Sequence, residues 1–120
     1  MKKIFLPILV GLIVITFTSF TQKTCSFVGS WDTDWGVLTI TEKYGKYSGS
    51  YPVNYGTGYI TGEMTKDDWN TYIILKGTWT EGKATGKFEF KRYCNKNTFT
   101  GTWTNDNVKE KGSWNGTKID

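Results

Sequence analysis

Carboxylates carry most of the acid–base capacity of this sequence: its 120 residues include 11 Asp and Glu and no His. They form two local pairs, Asp32/Asp34 and Asp67/Asp68. Two carboxyls roughly 5–10 Å apart across a sugar are the working pair of a glycosidase. Trp31 and Trp35 beside the first pair would give a sugar rings to stack on. A simpler reading is stronger, in which Asp-X-Asp between two strands binds its own turn backbone. A Ca²⁺ ion on Asp32 and Asp34 would lack most of its roughly six to eight oxygen ligands. The absence of His removes the commonest general base and metal ligand. The serines have no partner base, and Cys25 and Cys94 alone cannot build a zinc site. The chain is therefore expected to be non-enzymatic, with no catalytic residue, no metal and no cofactor.

The N-terminus sets the compartment. Met1-Lys2-Lys3 precedes an apolar run from Ile4 to Ile15, and small or polar residues follow at Thr16, Thr18 and Ser19. This order describes a secretory signal peptide; the run is shorter than the roughly 20 residues that span a bilayer, and Pro7 interrupts it. Residues 1–21 are read as the leader, cut after Thr21, and residues 22–120 as a single domain. Lipidation of Cys25 is disfavoured by its polar approach, Gln22-Lys23-Thr24. In a secreted or periplasmic chain Cys25 and Cys94 are expected to pair as a disulfide, a useful staple for so small a core. The net charge of +4 includes Lys2 and Lys3, and the other basic residues form no run longer than Lys91-Arg92. That reads as a solvated surface, without the concentrated positive face of a nucleic-acid binder. Membrane contact is expected only through the leader before cleavage.

Glycine, any residue, then an aromatic recurs along the chain: Gly29-Ser30-Trp31, Gly49-Ser50-Tyr51, Gly77-Thr78-Trp79, Gly86-Lys87-Phe88, Gly101-Thr102-Trp103 and Gly112-Ser113-Trp114. On a strand, i and i+2 share a face, so each unit sets a bare position beside a ring. Alternation of period two runs throughout and no helical spacing appears. Eight strands are expected near 26–32, 36–42, 46–52, 58–64, 71–80, 85–92, 98–104 and 109–115, with Gly-, Asn- and Asp-rich turns between them. Parity places Phe27, Trp31, Leu38, Ile40, Tyr47, Tyr51, Ile60, Met64, Ile73, Leu75, Trp79, Phe88, Phe90, Phe99, Trp103 and Trp114 inside, with the glycines. The repeated glycines let the sheet bend and give neighbouring rings room over bare backbone. Phe27–Trp31 matches Glu110–Trp114, and pairing of these two would close the sheet and hide its edges. The expected fold is all-β, a small antiparallel up-and-down barrel, with a β-sandwich as the alternative.

The opening Gly29-Ser30-Trp31 on a small exported meander resembles the calycin group, which includes lipocalins, avidins and certain bacterial protease inhibitors. Ser48-Gly49-Ser50-Tyr51 is similar to the Thr-Gly-Thr-Tyr of avidin's second hairpin, and Gly77-Thr78-Trp79 and Gly101-Thr102-Trp103 to its later Gly-X-Trp strands. The resemblance implies a barrel, and for a biotin-type site it carries over only Tyr51 and Trp79 or Trp103. Avidins place Asn and Ser after the first Trp; the corresponding positions here are Thr33 and Val37, so the polar clamp is missing. The stretch Trp31–Ile40 also resembles a recurrent bacterial repeat, Gly-X-Trp-X-Thr-X-Trp-Gly-X-Leu-X-Leu.

Function is expected to rest on the rings, given 6 Trp, 7 Tyr and 7 Phe. Trp35, Tyr44, Tyr55, Tyr59, Trp69 and Tyr72 fall in turns or on outward faces, where they either plug the barrel ends or form a binding rim. The candidate ligand-binding residues are Trp35, Tyr51, Tyr55, Trp69, Trp79 and Trp103. Their ligand would be a small apolar or aromatic molecule or a glycan. The alternative is a protein partner, as for an inhibitor of a secreted hydrolase or an envelope-assembly component. A hollow interior would favour a small-molecule carrier, and a filled one would shift attention to the surface.

Overall fold

A computed structural model describes residues 25–119; the leader expected over 1–21 and its cleavage site lie outside them. Nine strands follow in order: β1 Gly29–Thr33, β2 Gly36–Lys43, β3 Lys46–Val53, β4 Gly56–Lys66, β5 Tyr72–Glu81, β6 Ala84–Tyr93, β7 Thr98–Asn105, β8 Glu110–Ser113 and β9 Gly116–Lys118. Each of β1 to β7 pairs antiparallel with the next. The ring closes because β9 pairs with both β7 and β1. The result is a closed eight-strand meander barrel, with β8 an additional strand on β7; the sandwich alternative is excluded.

Closure differs from the expected match of Phe27–Trp31 with Glu110–Trp114. Trp31, Asp32 and Thr33 pair with Lys118, Thr117 and Gly116, beyond the expected end of the last strand. The cause is Asn115, where the strand breaks. Its backbone N–H donates to Asp34 Oδ2 at 2.8 Å, its carbonyl accepts the Asp34 N–H at 3.1 Å, and its Oδ1 accepts the Gly101 N–H at 3.3 Å. Asn115 thus leaves the regular ladder to clasp the first turn, splitting the strand into β8 and β9.

Pairing two antiparallel Gly-X-aromatic units in register sets each glycine opposite the other unit's ring. Gly77 faces Phe88 while Trp79 faces Gly86. The same relation joins Tyr51 to Gly58, Phe90 to Gly101, Trp103 to Gly112 and Phe99 to Gly116. Rings therefore lie over bare backbone, where a Cβ would collide with them. At Gly58 it would come within 2.4 Å of the Tyr51 ring, and at Gly116 within 2.4 Å of Phe99. The buried hydrophobic side chains all fall on the inward register, among them Phe27, Trp31, Phe88, Phe90, Phe99 and Trp114. Phe90 stacks on Phe99 at 4.3 Å and meets Trp114 edge-on at 5.2 Å between centroids. The middle of the barrel is thus filled by rings. Outside, Thr98, Thr100, Thr102 and Thr104 are all exposed.

Cys25 and Cys94 form a disulfide, with Cα atoms 5.6 Å apart. It ties the segment before β1 to the β6–β7 turn, and bonds of this kind persist in oxidising, extracytoplasmic settings. Because it spans 69 residues, replacing both cysteines by Ser is expected to lower unfolding stability by about 4 kcal/mol on loop entropy. Urea denaturation of the variant, beside native protein with and without reductant, measures this.

A Cβ on Gly77 would lie 1.8 Å from the Thr61 carbonyl oxygen of β4, so the strands must separate to admit one. Gly77→Ala is expected to lose about 1–3 kcal/mol or more as an overpacking change, and Thr80→Ala on the exposed face no more than about 0.5 kcal/mol. Thermal melts of the two variants check the difference.

Candidate functional site

In a meander, alternate connections share an end. The β1–β2, β3–β4, β5–β6 and β7–β8 turns lie at one end, which carries Trp35; the β2–β3, β4–β5 and β6–β7 turns lie at the disulfide end. At the Trp35 end the inward register of β5 finishes with Trp79 and Glu81, and that of β7 with Trp103 and Asn105. Together with Trp35 and Trp114 these four residues line a half-open recess of about 120 Å³. The volume equals about four waters at their liquid packing. It admits one ring and not a drug-sized molecule.

Three of the four indoles are fixed by packing or hydrogen bonds. Trp79 Nε1 donates to the Thr104 carbonyl at 2.9 Å, and Trp114 Nε1 donates to Thr33 Oγ1 at 3.1 Å. Thr33 Oγ1 in turn donates to the Gly36 carbonyl at 2.6 Å and accepts the Trp35 N–H at 3.1 Å. One threonine hydroxyl thereby links the backbone of the first turn, at Trp35 and Gly36, to the Trp114 indole between β8 and β9. Trp103 meets Trp79 edge-on at 6.2 Å and Trp35 edge-on at 5.9 Å. Its Nε1 is buried with no hydrogen-bond partner among the described residues, an unmet donor at the recess wall of a kind that destabilises by about 1–3 kcal/mol.

The polar groups are few and defined. Glu81 Oε2 accepts the Tyr51 hydroxyl at 2.6 Å, leaving Oε1 as an open acceptor. Asn105 Oδ1 accepts the Asn107 and Val108 N–H groups at 2.8 and 3.3 Å, leaving its amide N–H groups as donors. Burial first, and then the Glu81 hydrogen bond and charge, push the Tyr51 phenol far above its ordinary pKa. Tyr51 stays neutral and continues to donate. The recess therefore offers aromatic walls, one carboxylate acceptor and one amide donor.

The six sequence candidates separate. Trp35, Trp79 and Trp103 line the recess. Tyr51 stands behind it, bonded to Glu81 and edge-on to Trp114 at 5.1 Å. Tyr55 lies at the same end but is 99 % exposed and outside the recess lining, and Trp69, 86 % exposed, sits on the β4–β5 turn at the opposite end. Glu81, Asn105 and Trp114 complete the recess and were not among the candidates. Their signal is positional: Glu81 and Asn105 each follow a candidate Trp by two residues, on the same face.

One carboxylate of each pair is occupied by structure. Asp34 clasps Asn115, as described above. Asp67 Oδ1 accepts the Thr71 and Tyr72 N–H groups at 2.6 and 3.0 Å, and hydrogen bonds led by the Tyr72 N–H hold this carboxyl below its usual range. Both behave as turn residues. No protein family, curated protein or solved structure matches the chain.

The Tyr51–Glu81 bond gives stability an alkaline limb. In the unfolded chain Tyr51 ionises near pH 10, while in the folded chain it stays protonated, so its contribution is complete below about pH 10 and declines above it. Tyr51→Phe is expected to lose about 1–2 kcal/mol at neutral pH and to show a shallower decline above pH 10 than the native protein. Urea midpoints measured across the alkaline range test both.

Proposed function

We propose that this protein is a non-enzymatic binding module acting outside the cytoplasm, which holds a single sugar ring of a glycan in the recess at the Trp35 end. The observation that carries this reading is the convergence of Trp35, Trp79, Trp103 and Trp114 with Glu81 and Asn105 around a space the size of one ring. A pyranose presents apolar C–H faces and polar hydroxyl edges. Indole faces suit the first, and a paired acceptor and donor suit the second. Trp35 is 48 % exposed, so it can adjust to a ligand without disturbing the core. The filled interior argues against an enclosed small-molecule carrier, and the closed meander is compatible with a calycin-like barrel that works at its mouth. The disulfide supports an extracytoplasmic location. A protein partner is the second reading, favoured by the fully exposed ring of Tyr55 at the same end of the barrel.

Tryptophan fluorescence, titrated with a panel of methyl glycosides and oligosaccharides and with indole as a hydroxyl-free ring, tests the proposal. A glycan is expected to bind more tightly than indole. Trp35→Ala should weaken it about tenfold or more, Glu81→Gln should weaken it less, and Trp69→Ala should leave it unchanged. Indole binding without any glycan would transfer the site to aromatic ligands. Glycan binding indifferent to Trp35→Ala would move it away from this recess.

A further inference from the structure

We propose that the disulfide end of the barrel docks on an anionic lipid surface, with a lipid phosphate entering a basic hollow formed by Lys66, Arg92 and Lys118 while Tyr44 and Trp69 sit in the interface. The site is distinct from the Trp35-end recess and independent of what binds there.

At this end the inward register again finishes with polar residues, three of them cationic and one, Glu42 two residues after Ile40, acidic. Lys66 follows Met64, Arg92 follows Phe90 and Lys118 follows Gly116, each two residues on. All three line an open hollow of about 980 Å³, whose apolar wall includes Met64 and Ile73. Arg92 and Lys118 lie over the Trp31 ring, at 5.2 and 5.7 Å from its centroid. Arg92 donates to the Ser26 and Lys96 carbonyls, so neutral oxygens fix its guanidinium in place. Among the described residues none of the three cations is in an ion pair. The nearby acids are committed elsewhere. Glu42 accepts the Gly45 N–H, Glu63 pairs with Lys46, and Asp67 caps its own turn, leaving Asp68 as the remaining described carboxylate on these turns. A phosphate suits such a cup because it accepts the forked N–H groups of Arg and the point charges of Lys together.

Two further observations place this phosphate in a bilayer. The β2–β3 and β4–β5 turns on the same end carry Tyr44 and Trp69, 92 % and 86 % exposed. Tyr and Trp are the side chains that favour the membrane–water interface. The disulfide also fixes the point where the chain enters the barrel, since Cys25 is bonded to Cys94 at this end. The apolar run Ile4–Ile15 is joined to it through residues 16–24 alone, at most about 30 Å of extended chain. Whenever that run occupies a membrane, this is the end held against it. A second copy is a poor occupant, because two such ends would bring like charges together.

Flotation with vesicles tests the proposal, using protein exported by a secreting host and shown by mass to have lost its leader. Binding to phosphatidylcholine vesicles with about 30 % phosphatidylglycerol should exceed binding to phosphatidylcholine alone by tenfold or more, at about fivefold per basic side chain. It should weaken between about 0.1 M and 0.5 M salt. Lys66→Gln with Lys118→Gln should reduce binding at least tenfold, and Lys66→Gln alone about fivefold; melting temperature shows whether the fold is kept. Trp69→Ser should weaken binding, and Tyr55→Ser at the opposite end should not. Equal binding to both vesicles, or binding indifferent to the lysine and Trp69 changes, would overturn the proposal. So would glycerol phosphate binding as tightly as the vesicles, since the site would then serve a soluble phosphate.

Discussion

The structure depends on one packing relation: an aromatic ring lying over a glycine on the neighbouring strand. Neither partner suffices alone. Glycine weakens a strand because it adds chain entropy and packs nothing, and rings this large at every inward position would overfill so narrow a barrel. Alternating them along a strand and crossing them between strands resolves both problems. The ring covers the space that the glycine leaves, and the glycine admits the ring. The relation holds at most of these positions and not all, since Phe88 faces Trp103 and Gly62 faces Gly77. Between β5 and β6, where it is reciprocal, a slip of two residues would set either Trp79 against Phe88 or Gly77 against Gly86. The pairing therefore selects the register as well as filling the core.

A core built this way leaves no chamber in its middle, and the interior ends in two shallow mouths. Along most strands the inward positions are apolar until the last one, where water reaches the side chain. At the Trp35 end these last positions include Glu81 and Asn105, and at the disulfide end Lys66, Arg92 and Lys118 together with Glu42. One mouth thus combines indoles with an acceptor and a donor, and the other combines apolar walls with fixed positive charge. Both the glycan reading and the lipid reading follow from this single geometric fact, that a polar residue on the inward register lies at a mouth.

Much of this was legible in the sequence, because period-two alternation and parity are local signals. The inward register follows from residue types, and each turn is marked by Gly, Asn or Asp. Closure was not legible. The break at Asn115 depends on Asp34, 81 residues away, and no local pattern reveals such a clasp. The position of Trp69 relative to Trp35 and Tyr55 is a different case. Counting connections in a meander places the first and third at one end and the fourth at the other, so residue type alone grouped rings that topology separates. The polar ends of the register carry their signal in spacing, two residues past Trp79, Trp103, Met64 and Phe90. It is read only when the inward face is followed beyond its last apolar residue.

The stiffness of the middle has a consequence for how the two mouths work. Phe27, Trp31, Phe90 and Phe99 form one contiguous packed layer between them, and a close-packed layer has few alternative arrangements. A ligand shifts a conformational equilibrium only where two states are available. The hub at the Trp35 end, Thr33 Oγ1, binds only groups of its own end, namely Gly36, Trp35 and Trp114. At the other end Arg92 and Lys118 rest on Trp31, which is anchored by its own Nε1 bond to the Phe27 carbonyl at 2.9 Å. Each mouth is thus braced against the same rigid layer from opposite sides. The layer separates them, so that one end can lie against a surface while the other stays open to solvent.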